Sequence, residues 1–161
     1  MIRKIEIERF SLITSRGFDE VLGALNATIG HPDMTEFWKS TQQTPNAELE
    51  STIEKAVGKT GLMLFVAFDH GAIISKTAPG RSRIVRLVIG NPLIMKEMAR
   101  RVPDAGSYAP VTVLVDERTD GVHLSYDRMA SLLAPYDNPE ALDIARNLDM
   151  KVEDLLRRAA A

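Results

Sequence analysis

Polar and apolar positions alternate with a period of two over residues 4–13. Ile5 and Ile7 share one face and Glu6 and Glu8 the other, which predicts a half-buried strand. Phe10 and Leu12 then change face, the mark of a bulge. The period next lengthens to that of a helix, with Phe18, Val21, Leu22, Leu25 and Ile29 on one stripe, Ser15 as the cap and Gly30 near the end. Residues 31–45 hold Phe37 and Trp38 among polar groups and predict a short helix on a long connection, an inserted lid or packing flap. Pro45-Asn46 opens another helix, striped by Leu49, Ile53 and Val57 and stopped at Gly58 or Gly61.

Beyond that point the pattern becomes strand-like. Leu62 to Asp69 is apolar on both faces and predicts a central strand, followed by a turn at Asp69-His70-Gly71 and a short strand over residues 72–75. After Pro79-Gly80, residues 83–90 form another strand, and Asn91-Pro92 starts a helix through Arg101. Residues 110–116 are a Val-rich strand, joined by an Asp120-Gly121 turn to a strand from Val122 to Tyr126. Asn138-Pro139 caps a long helix whose stripe of Leu142, Ala145, Leu148, Val152, Leu155 and Ala159 must bury against the sheet or a partner. The element order predicts an α+β domain: a mainly antiparallel sheet of about five to six strands with helices on one face, in two layers. Val66, Phe68, Val88, Val113 and Leu124 are the expected core.

Length and charge narrow the classes. The 161 residues carry no linker and no internal repeat, so residues 1–161 read as a single domain, large enough to bury a core without disulfides or a structural metal. A net charge of −2 gives no reason to expect nucleic acid or an anionic membrane as partner. Cysteine is absent, which excludes thiolate metal sites and cysteine nucleophiles. The longest apolar run, Gly61 to Phe68, is far too short to span a bilayer. Residues 1–9 mix charge with aliphatic groups rather than forming the apolar block of a secretion signal, so the cytoplasm is the expected compartment.

Candidate chemistry is sparse. His31, His70 and His123 are scattered without metal-ligand spacing, and no phosphate-binding glycine loop or serine-nucleophile elbow occurs, so neither a metal nor a cofactor is expected. Asp69 and His70 are ligand-binding candidates because imidazole exchanges a proton near neutral pH, although both also suit a turn that bonds its own backbone. Asn91 is a third candidate, at a helix start whose free amides attract anions, and equally a plain helix cap. Tyr126 is the fourth, a phenol at a strand end. Arg81, Arg83, Arg86, Lys96, Arg100 and Arg101 make a basic stretch, either a solvated face or a match for Asp137, Glu140 and Asp143 of a second subunit.

The series Phe65-(two)-Phe68-Asp69-His70, Val88-Ile89-Gly90-Asn91-Pro92, Pro110-Val111-(one)-Val113-Leu114-Val115 and Gly121-Val122-His123-Leu124-Ser125-Tyr126 resembles the domain-of-unknown-function 302 family, most specifically over residues 61–136. The chain departs from that family in having Ala109-Pro110 where Leu-Pro is common, and Leu93-Ile94-Met95 where small residues follow Gly-Asn-Pro. The resemblance implies a curved sheet of TATA-binding-protein-like architecture and a homodimer, and brings no established activity. Three readings remain open. The leading one is a small-molecule-binding or sensing homodimer whose cavity gathers His70, Gly90-Asn91 and Tyr126; the apolar stripe of the last helix and the Phe37-Trp38 segment supply the dimer contact. The second is an enzyme using His70 as general acid or base, and the third is a protein-interaction module.

Overall fold

The computed structural model describes residues 2–77 and 83–161. The expected Pro79-Gly80 break and Arg81 of the basic stretch lie outside them. Five strands, β1 (Arg9–Thr14), β2 (Met63–Asp69), β3 (Ile84–Gly90), β4 (Val111–Arg118) and β5 (Gly121–Asp127), form one sheet in the order β1-β5-β4-β3-β2. Every neighbouring pair is antiparallel, so β1 and β2 are the edges. The fold is the α+β sheet-and-helix arrangement read from the sequence, consistent with the architecture that the resemblance implies.

Alternation along each strand decides which side carries the core. Leu87 and Ile89, Val111, Val113 and Val115, and Val122, Leu124 and Tyr126 point to the same face and are buried there. The cover comes from α1 (Phe18–Asn26), α5 (Pro92–Ala99), α6 (Met129–Leu133) and the long α7 (Pro139–Ala160). The predicted stripe of α7 is spent within the chain: Ala145, Leu148, Val152, Leu155 and Ala159 are buried in the main core and Leu142 packs against it half-buried, with Ala141 taking the buried position at that turn. Asn138 caps this helix as expected, accepting from the Ala141 amide at 2.9 Å.

Two helices on the connection between β1 and β2, α2 (Met34–Gln43) and α3 (Leu49–Ala56), build a second, smaller core from Phe37, Ile53 and Met63. The connection is pinned at both ends on one acceptor. The Leu62 carbonyl oxygen accepts from the Gly30 amide at 2.8 Å and from the Gly58 amide at 2.9 Å. Only glycine permits this approach, because a Cβ on Gly30 would lie 2.0 Å from the Ala56 carbonyl oxygen and one on Gly58 2.3 Å from that of Thr28.

Four local expectations are corrected. Residues 70–74 form a short helix, α4 (His70–Ile74), where a turn and strand are expected; the Asp69 carboxylate accepts from the Ala72 amide at 2.8 Å and starts the helix at once. β2 is an edge strand, so Val66 and Phe68 are 39% and 43% exposed rather than core, and Val88 is only half-buried. The cap of α1 is Gly17, whose amide donates to the Glu20 carboxylate at 2.9 Å, in place of Ser15. The first strand begins at Arg9 instead of residue 4, and the register shift falls between Leu64 and Val66 of β2, not in β1.

Candidate functional site

The four candidate residues occupy three separate places. Met63 pairs with Gly90 and Asp69 with Val85, so Asn91 and His70 stand at opposite ends of the β2–β3 ladder, on the order of 20 Å apart at ~3.3 Å per residue. Tyr126 pairs with Val113, Val113 with Leu87 and Leu87 with Ala67, which puts it three strands from β2. The expected convergence of His70, Asn91 and Tyr126 on one cavity does not occur. An antiparallel ladder sends successive strand ends to opposite ends of the sheet, so Asn91 borders one cleft, Tyr126 another beside Arg9 and Arg86, and Asp69 a third beside Phe18 of α1.

Each of these side chains has a local partner. Asp69 caps α4, and the His70 ring stacks on that of Phe68 with centroids 6.0 Å apart and planes 6° from parallel. Asn91 uses both ends of its amide: the oxygen accepts from the Leu93 amide at 2.8 Å and the nitrogen donates to the Gly61 carbonyl at 2.9 Å. That pair of bonds ties the start of α5 to the turn before β2.

Tyr126 belongs to a buried polar knot. Its hydroxyl donates to Asp149 Oδ1 at 2.6 Å, and the same oxygen accepts from the Met129 amide at 2.7 Å while Oδ2 accepts from the Ala130 amide at 3.1 Å. A carboxylate on α7 therefore caps α6 from across the fold, with Arg128 Nε 3.6 Å away. Burial, then the adjacent Asp149 charge, pushes the Tyr126 hydroxyl far above its ordinary value. Burial likewise raises Asp149 above the usual carboxylate range against the pull of its donors. Asp149 escaped the sequence reading, although an acid between Leu148 and Val152 on an apolar stripe was its signal.

The cavity beside Asn91 has a volume of about 220 Å³ and an almost wholly apolar wall. Trp38 of α2 stands at its rim, 47% exposed, with its ring centroid 6.2 Å from that of Phe65 on β2. Met95 and Met98 of α5 supply thioethers, Leu148 of α7 closes one side, and Gly90 faces Pro110, where a Cβ on the glycine would come within 3.1 Å of the proline ring. No charged side chain lines it among the described residues. Sequence reasoning placed Trp38 on a flap and did not join it to Phe65 or the methionines. The spacing of Met95 and Met98 on one helical face was the available hint.

Charge gathers on the outer side of α5. Glu97 lies 2.7 Å from Arg100 and 3.0 Å from Arg101, and its carboxyl is held below the usual range chiefly by the hydrogen bond from Arg101. Arg101 also meets Glu140 at 2.6 Å, so this part of the basic stretch finds its acid within the same chain.

The family model described as "Domain of unknown function DUF302" matches residues 37–159. The chain belongs to the DUF302 family. Its fold is shared with the crystal structure of an uncharacterized conserved DUF302 protein from Bacillus stearothermophilus: the TM-score is 0.66, with 94% of this chain and 97% of that one covered at 14% identity. No curated protein matches the sequence. The DUF302 match starts at Phe37, so it takes in the cavity's Trp38 rim as well as the sheet and α7. Among the described residues no helix is long and apolar enough to cross a membrane.

Proposed function

We propose that this DUF302 domain binds a small, uncharged, mainly apolar molecule in the cavity between Trp38, Phe65 and α5. The observation that carries the reading is a space of about 220 Å³ whose wall is aromatic, thioether and aliphatic, with the only tryptophan of the chain half-exposed at its rim. Other clefts on the chain, such as the one beside Tyr126 and the one beside Lys151, are larger but mix polar with apolar groups, so the apolar lining rather than the volume distinguishes this one. An apolar void of ~150 Å³ already takes up benzene. A charged ligand is disfavoured because no side chain in the wall would compensate its desolvation. Binding is favoured over catalysis by the position of His70, the candidate acid or base, at the far end of β2.

Trp38 provides its own assay. Titration with toluene and with cyclohexanol should shift its emission to the blue and shield it from acrylamide, and a saturating ligand at 100 times its dissociation constant should add about 2.7 kcal/mol of stability. Phe65→Ala should abolish both responses, whereas His70→Ala should leave them unchanged. Unaltered emission and melting temperature with every apolar probe would defeat the reading.

A further inference from the structure

The two halves of β2 differ along its outer edge. At its start, the Leu62 carbonyl and the Leu64 amide both bond to Gly30, so that stretch is already paired. From Val66 to Asp69 all four residues are exposed, including Ala67 on the helix-facing side, and no strand lies beyond them among the described residues. Ile73 of α4, 67% exposed, adds apolar surface at the same end. Edge strands of soluble proteins are ordinarily guarded by charge, proline or a covering element. The opposite edge, β1, carries Arg9 paired with Asp127 at 2.6 Å. Phe65 is flanked by Trp38 and by the register shift between Leu64 and Val66, but Val66-Ala67-Phe68 beyond it carries neither charge nor proline.

We infer that the free half of β2 pairs with the same segment of a second copy of this chain about a two-fold axis at Ala67. The occupant follows from the sequence of the segment. An antiparallel strand that meets itself with Ala67 on the axis sets Phe68 opposite Val66 of the other copy, and Val66 opposite its Phe68. Both side chains stand on the open face of the sheet, and an aromatic facing a β-branched residue is a favourable cross-strand pair. The small Ala67 methyl meets its own counterpart, and no like charges come opposite one another, because Asp69 falls opposite Phe65. Pairing of β2 with β1 of another copy would instead leave an edge open at each end and build filaments, whereas the two-fold arrangement uses up the exposed edge in both copies. The paired segment touches the cavity wall only at Phe65, the end of the register, and α7 takes no part in it because its stripe is already packed within the chain.

Sedimentation of the full chain at tens of micromolar should give twice the 17.8 kDa monomer. The double variant Val66→Glu, Phe68→Glu alters two part-exposed side chains and should weaken association by about 100-fold or more, equivalent to ~2.7 kcal/mol, without changing the circular dichroism. The absence of cysteine allows a second measurement that survives any folding defect of that variant: Ala67→Cys should be joined into a dimer by a short bismaleimide, and Ser11→Cys on β1 should not. A wild type that stays monomeric, a double variant that remains dimeric, or cross-linking through Ser11→Cys instead of Ala67→Cys would overturn the assignment.

Discussion

Leu148 and Asp149 are neighbours on α7, yet they face two different interiors. Leu148 borders the cavity, where side chains from α2, β2 and α5 leave space unfilled. Asp149 enters the knot at α6, where three donors meet one carboxylate. Deep polar groups are tolerated when their partners are in place, and here both Asp149 oxygens and the Tyr126 hydroxyl have theirs, while the buried Arg128 Nε beside them has ion pairs but no hydrogen bond. The apolar region has no such obligation and is the one left unfilled. The polar knot is therefore read as architecture and the apolar gap as the place for a ligand, the reverse of an expectation built on polar residues alone.

The comparison breaks most directly at Asp149. Replacement by Ala strands the Tyr126 hydroxyl and two amides inside the core and leaves Arg128 without its buried partner, and should lower stability by about 3–5 kcal/mol in urea unfolding. Met95→Ala, in the half-buried wall of the cavity, should cost about 1 kcal/mol or less, because it widens a space that is already open rather than creating an enclosed void. Equal losses for the two variants would erase the distinction. A finer measurement concerns pH. Burial raises the folded-state value of Asp149, so the folded chain holds this proton more tightly than the unfolded one. The contribution is greatest below the ordinary carboxylate value of ~4 and fades as pH rises through the folded value. Asp149→Asn should remove that decline, and parallel stability profiles for wild type and variant between acid and neutral pH would show that the carboxyl titrates normally.

Much of the framework is legible in the sequence because it rests on local rules. Asn91-Pro92 and Asn138-Pro139 cap helices, and Asp120-Gly121 turns the β4–β5 hairpin. The errors share one cause. Leu62 to Asp69 reads as a central strand because both its faces are apolar, but residue type does not reveal how many strands lie beyond it, and β2 lies at the edge. Residues 72–75 read as a strand because two isoleucines follow one another, while the decisive event is the single bond from the Ala72 amide to Asp69. The cavity draws on residues from Trp38 to Leu148, and no spacing along the chain records that they meet. His70, Asn91 and Tyr126 stood out as polar residues at strand ends, and the structure gives each a nearby partner.

The double bond to the Leu62 carbonyl has a wider consequence. Because Gly30 and Gly58 dock on the same atom, everything between them, α2 and α3 included, leaves and re-enters the fold at nearly one point. Such an excursion is a cassette: its length and sequence can change at the small cost of closing a longer loop, while the strand order beneath it stays as it is. Trp38 rides on that cassette and Phe65 does not, so exchange of residues 31–57 between relatives would graft one wall of the cavity onto another scaffold and separate what the pocket accepts from what holds the sheet together.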